Sequence, residues 1–206
     1  HALLCEHHEN YLIELASGMF VAVQVKTDSR ENIKWKLGEA ELVKSISRFC
    51  DLEGRYGDAI EGYEFLSNAP PYVPDQNAGE KSQQTSPLRL CEGCVAASDL
   101  TGIEAYCREM FDSLQEKIGA VPECLFRVLR KLRFLQGPVL RGLDDSVSHS
   151  VVPKLPGCAN LPAIRCCQVR DDLISLVQGA CHLKTQGVDG VMDYIASNGR
   201  PQTILR

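Results

Sequence analysis

The residues of this chain whose types and spacing suit chemistry sit near its start. Val21-Ala-Val-Gln24-Val-Lys26-Thr27 is an apolar, valine-rich run that ends abruptly in Gln-x-Lys. On a strand, side chains two apart share a face, so Gln24 and Lys26 are expected to point one way and Val21, Val23 and Val25 the other. A lysine closing a buried strand is costly unless a carboxylate, a phosphate or water meets its ammonium. Carboxylates stand upstream in Glu6-His7-His8-Glu9-Asn10. Acid, amide and amine gathered at one strand end would suit a divalent cation and a phosphate ester. Adjacent histidines on a strand face opposite ways, so at most one of His7 and His8 joins such a site.

Which acid meets the lysine depends on a hairpin between Ala2–Leu15 and Met19–Lys26. A four-residue loop over Ala16 to Met19 pairs Leu15 with Phe20 and sets Glu9 opposite Lys26. A three-residue loop pairs Asn10 with Gln24 and turns Glu9 away. A slip of one residue reverses every face. The first register is preferred because it gathers Glu9, Gln24 and Lys26 into one polar corner.

The elements that follow fix the setting. Asp28 to Asn32 reads as a loop, and Leu42, Val43, Ile46, Phe49 and Leu52 at helical spacing predict a helix from about Glu39 to Glu53. Ile60 to Ser67 returns as a strand. Asn68 to Leu88, with Pro70, Pro71, Pro74 and Pro87 among Gly, Gln and Ser, reads as a surface loop. The second half is predicted helical: from a Thr101–Glu104 capping box to about Lys117, from Pro122 to Gln136, from about Pro162 to Leu183, and from Val188 to Ser197. The expected architecture is α/β, a mixed β-sheet core with flanking helices followed by a helical C-terminal half. One domain over 1–206 is expected, with the sheet core and site in 1–67, a loop in 68–100 and the helical part in 101–206.

The totals are compatible with this reading. The chain has 206 residues, 44% hydrophobic and 24% charged, enough for one sizeable core. The net charge of −5 disfavours an indiscriminate nucleic-acid binder but leaves room for a local basic cleft. There is no apolar run long enough to span a bilayer and no secretory signal, so a soluble cytoplasmic protein without membrane contact is expected. The chain opens at His1 on residues that already read as a strand, which suggests a piece of a longer polypeptide. Most of the ten cysteines read as reduced core residues.

The order acid, turn, Gln-x-Lys strand, helix, strand resembles the PD-(D/E)xK restriction-endonuclease-like superfamily. Within it, Glu6-His-His-Glu9, Val23-Gln-Val-Lys-Thr27, Ser45-Ile-Ser-Arg-Phe49 and Phe65-Leu-Ser-Asn68 are similar to the nuclease domain of cyclic-oligonucleotide-activated (CBASS-type) antiphage endonucleases. The resemblance implies a restriction-endonuclease-like fold and metal-dependent hydrolysis of double-stranded DNA in bacterial defence. It implies Mg²⁺, with Mn²⁺ as a substitute, held by Glu9, the Gln24 amide and the Val25 backbone carbonyl, and Lys26 orienting the attacking water. Glu9 stands where Asp is usual and Asn10 where another acid is expected, which leaves Glu6 and Glu14 as alternative ligands. A homo-oligomer, with a sensor domain or partner protein outside this chain, is also implied. The competing reading is a catalytically inactive module of the same fold that binds nucleic acid or mediates oligomerisation.

Two other patterns are weaker. Arg127, Arg130 and Lys131 on one helix face would suit a phosphate backbone, against the commoner solvated face. Cys91-Glu-Gly-Cys94 has the spacing of half a zinc site and would need distant partners such as Cys158 or His149; a plain loop is the stronger expectation.

Overall fold

The computed structural model describes residues 2–6, 10–28, 33–75, 84–137 and 143–182. It is a mixed α/β molecule with one five-stranded sheet. Three antiparallel strands come first, β1 (Ala2–Glu6), β2 (Asn10–Glu14) and β3 (Phe20–Lys26). The expected single strand from Ala2 to Leu15 is therefore two, with Glu6 and Asn10 paired at its break. Helix α1 (Ala40–Tyr56) then carries the chain back, so that β4 (Ile60–Ser67) lies parallel to β3. Parallel neighbours need such a crossover. The strands lie side by side in sequence order, β1 to β5.

The hairpin register corrects the preferred sequence reading. Leu15 donates its N–H to the Met19 carbonyl at 2.8 Å, and Gly18 donates to the Leu15 carbonyl at 3.0 Å, closing a loop over Ala16, Ser17 and Gly18. Gly18 adopts φ +80°, the left-handed residue that completes a three-residue hairpin loop. Glu14 thus faces Phe20, Leu12 faces Ala22 and Asn10 faces Gln24. That is the three-residue-loop register, in place of the preferred pairing of Leu15 with Phe20. Glu9, His7 and His8 themselves lie outside the described residues.

A second register feature sets the opposite side of β3. Phe20 pairs with Ile60 but Val21 pairs with Gly62, so β4 carries one extra residue at Glu61. Beyond it, Ala22, Gln24 and Lys26 stand beside Tyr63, Phe65 and Ser67. All six are buried, on the face that α1 covers. Helix α1 buries Leu42, Ile46, Phe49, Cys50 and Glu53 against them, a stripe at helical spacing. The Phe49 and Tyr63 rings meet at 4.9 Å between centroids.

The second half departs further from expectation. Pro87–Ala96 is a helix, α2, started by Pro87 with the Ser86 hydroxyl accepting the Arg89 N–H, so the breaker-rich segment ends sooner than predicted. The capping box at Thr101 does not form. Asp99 accepts the Thr101 and Gly102 N–H groups and caps a short 3₁₀ turn, Leu100–Gly102; helix α3 (Ala105–Ile118) starts after Glu104. Helix α4 (Pro122–Lys131) stops before Leu132, where the chain becomes β5 (Leu132–Gln136), parallel to β4. Helical spacing predicted a helix through Gln136; pairing of Leu132 with Tyr63 and Phe134 with Phe65 overrides it. A short helix α5 (Leu143–Ser146), a π turn (Val147–Val151) and a 3₁₀ turn (Val152–Lys154) lead to α6 (Ala163–His182). The predicted Val188–Ser197 helix lies outside the described residues. Among the described residues no helix is long and apolar enough to cross a membrane.

Candidate functional site

Lys26 is the last residue of β3 and only 9% exposed, so its ammonium is largely withdrawn from water. Glu41, in the first turn of α1, meets it at 3.2 Å. The helix start is fixed by the buried Ser45 hydroxyl, which donates to the Glu41 carbonyl at 2.8 Å. Lys44 approaches the other Glu41 oxygen at 2.8 Å from an exposed position. Hydrogen bonds from Lys44 and then Lys26 hold the Glu41 carboxyl below the usual carboxylate range, so it is ionised at neutral pH.

Gln24 lies two residues back on the same face and is 3% exposed. Its side-chain oxygen accepts from Arg48 of α1 at 3.4 Å. The structure thus brings together Gln24 and Lys26, as their strand spacing predicts, and adds Glu41 and Arg48 from the helix. Val25 pairs with Leu66 and reaches past the described start of β2. Glu6 ends β1, and Glu14 stands at the far end of the hairpin opposite Phe20, away from Lys26.

The chain around this corner is held by polar clasps. Asn68 accepts the Asp28 N–H at 2.9 Å and donates to the Asp28 carbonyl at 2.7 Å, tying the exit of β3 to the exit of β4. Buried Ser67 accepts the Trp35 indole N–H at 2.8 Å and the Ala69 N–H at 3.1 Å. The Trp35 ring meets Phe65 edge-on at 5.3 Å. These contacts give Phe65-Leu-Ser-Asn68 a positioning role, fixing the backbone on either side of Lys26.

The basic face expected on α4 has different work. Arg127 Nε donates to Glu53 at 2.8 Å and Lys131 donates to both Glu53 oxygens, at 3.0 and 3.3 Å. Lys131 also donates to the Gly57 and Ile60 carbonyls at 3.1 Å, and Tyr63 donates to Glu53 at 2.7 Å. Arg130 lies over the Phe126 ring at 5.4 Å. Burial opposes ionisation of Glu53, yet the hydrogen bonds from Tyr63, Lys131 and Arg127 outweigh it and lower its pKa. Two of the three cations proposed for a phosphate backbone are therefore engaged by one buried acid.

Cys91 and Cys94 lie one turn apart on α2, buried, where a loop was expected. Burial and the neighbouring Cys107 push the Cys94 thiol up to about 12, and burial raises Cys91 as well. Both are neutral thiols in a packed interface at pH 7. Among the described residues no three His, Cys, Asp or Glu side chains gather in a way that could hold a metal ion. A cleft of about 440 Å³ lies between Leu37, Thr85 and α3 residues including Met110 and Lys117; it contains none of Gln24, Lys26 or Arg48.

Sequence reasoning missed Glu41 and Glu53. For Glu53 a signal existed: it extends the apolar stripe Leu42, Ile46, Phe49, and a carboxylate on such a stripe calls for a cationic partner. For Glu41 no local signal existed, because its meeting with Lys26 depends on the packing of α1 across β3.

No family model matches this chain, and no curated protein matches it. Among solved structures it is similar to a Moraxella osloensis Cap4 SAVED/CARF-domain containing receptor, with TM-score 0.47 and 12% identity over 87% of this chain. It is also similar to an Acinetobacter baumannii Cap4 SAVED/CARF-domain containing receptor solved with the cyclic trinucleotide 3'3'3'-cAAA, with TM-score 0.43 and 12% identity over the same share. The chain spans 38% of the first and 36% of the second. At such scores the likeness is one of outline and assigns neither a family nor an activity.

Proposed function

We propose that this chain is a metal-dependent DNA endonuclease domain, serving as the effector part of a bacterial antiphage system. The observation that carries the reading is a lysine ammonium withdrawn from water at a strand end, 3.2 Å from a carboxylate and on the same face as a buried amide. The four motifs that resemble the CBASS-type nuclease domain supply the defence context. The Glu41 carboxylate is a hard oxygen donor of the kind Mg²⁺ takes, the rest of its octahedron being water, while the Gln24 oxygen is engaged by Arg48. When bound, such an ion polarises a phosphate and acidifies a coordinated water. Lys26 would orient the attacking water and offset negative charge that develops on the phosphate. Glu41 keeps Lys26 aimed, and the Asn68–Asp28 clasp fixes the backbone it stands on.

The test is degradation of supercoiled plasmid in Mg²⁺, abolished by EDTA. Lys26→Ala should lower the rate by about 10² to 10³, the usual cost of removing one transition-state donor. A Lys26→Ala protein that cuts as fast as the parent would refute the assignment.

The hairpin register favours a second reading, in which the same fold binds nucleic acid or drives oligomerisation without catalysis. The observed register, with Asn10 opposite Gln24, is not the one on which Glu9 was read opposite Lys26, and Glu9 itself lies outside the described residues. DNA binding that is indifferent to Mg²⁺, with no cleavage at any protein concentration, would establish that reading in place of the first.

A further inference from the structure

We propose that Arg48 is a phosphate-binding residue of this site, seated on the Gln24 amide so that its guanidinium meets the nucleic-acid backbone beside the Lys26 ammonium. The proposal rests on the nucleic-acid reading of the site and extends it to a residue and a role.

Arg48 is exposed on α1, and its hydrogen bond is to a neutral oxygen, Gln24 Oε1. Three other arginines are paired with acids, Arg108 with Asp112, Arg127 with Glu53 and Arg170 with Asp171. Among the described residues Arg48 makes no ion pair. Its charge is uncompensated, yet its direction is set by a buried side chain on a central strand. A guanidinium fixed in this way retains several donors in a planar fork, the geometry that matches phosphate oxygens.

The placement follows from the crossover. Helix α1 runs back along β3, so Glu41 meets Lys26 and Arg48 meets Gln24. The two cations are thus anchored two residues apart on β3, about 7 Å along the strand. They differ in their partners: Lys26 has a carboxylate beside it, whereas Arg48 has an amide. A glutamate at position 24 would pair with Arg48 and cancel the charge. Gln24 holds the arginine and leaves its charge available.

The experiment measures binding of a short fluorescent DNA duplex to this chain in EDTA across a salt series, together with plasmid cleavage in Mg²⁺. Arg48→Met keeps the aliphatic stem and removes the charge. It should raise Kd about 10-fold and lower the slope of log affinity against log salt by about 0.9, the loss of one phosphate contact. Arg48→Lys should restore the slope but only part of the affinity, since an ammonium lacks the fork. Gln24→Glu should behave like Arg48→Met. Arg48 is exposed, so Arg48→Met and Arg48→Lys should leave the melting temperature in place. An unchanged Kd and slope in Arg48→Met would overturn the proposal, as would a Gln24→Glu protein that binds like the parent. If the parent cuts plasmid while Arg48→Met binds unchanged, the hydrolytic reading stands and this inference fails. If the parent binds with an Arg48-dependent slope and never cuts, this inference stands and the hydrolytic reading fails. A parent with no affinity for DNA overturns both.

Discussion

Glu53 shows how a single acid can organise a region. Its side chain is 1% exposed, and it holds Tyr63, Arg127 and Lys131 at 2.7 to 3.0 Å. Glu53→Gln keeps the shape and the Tyr63 hydrogen bond but removes the charge. The substitution should cost about 2 kcal/mol at neutral pH, less than a fully enclosed pair because Arg127 and Lys131 can turn toward solvent. The folded pKa of Glu53 lies below its unfolded value, so the stabilisation is present above the unfolded pKa of about 4.3 and is lost as pH falls through the folded pKa. The urea-midpoint gap between parent and Glu53→Gln should therefore be widest near pH 7 and close below about pH 4. A gap that stays constant through acid would show that Glu53 acts by packing alone.

At the scale of elements, the close approach of α2 to α3 is made possible by Gly93. A β-carbon built there would lie 2.5 Å from the Cys107 sulfur and 2.9 Å from its β-carbon. Gly93→Ala should thus destabilise by about 1 to 3 kcal/mol, because overpacking outweighs the gain in helix propensity. Thermal unfolding measures this, and Gly93→Ala combined with Cys107→Gly should recover part of the loss. An alanine at 93 that stabilises the chain would mean that the helices stand further apart. The hairpin loop teaches the same lesson about local conformation. One glycine at positive φ selects a three-residue turn, and that choice decides which residues of β2 oppose Gln24.

For the whole molecule, β3 and β4 are the central strands, each with a neighbour on both sides and with α1 packed over one face. Their amides should exchange last in hydrogen-exchange experiments, with free energies near that of global unfolding, and those of β1 should exchange much sooner. Mass spectrometry of pulse-labelled peptides reads this directly. Slow exchange in β1 and fast exchange in β4 would contradict the strand order. The candidate site sits at the end of β3, so Lys26 and Gln24 should be carried on one of the most persistent parts of the fold.

Several parts of this arrangement were legible in the residues alone. The valine alternation of β3 placed Gln24 and Lys26 on one face, and the apolar stripe from Leu42 to Phe49 announced α1, because both patterns depend only on local periodicity. The register of the hairpin was open in the sequence, since two loops one residue apart were both allowed; the backbone of Gly18 settled it. β5 was read as helix because Leu132 and Leu135 fit helical spacing, and only the free edge of β4 made a strand of that segment. The contacts of Lys26 with Glu41, Gln24 with Arg48 and Glu53 with Lys131 join residues 15, 24 and 78 positions apart. Sequence determined which side chains each element presents, because side-chain direction follows from periodicity. The tertiary structure decided which of them meet, because that depends on how α1 and α4 are laid across the sheet.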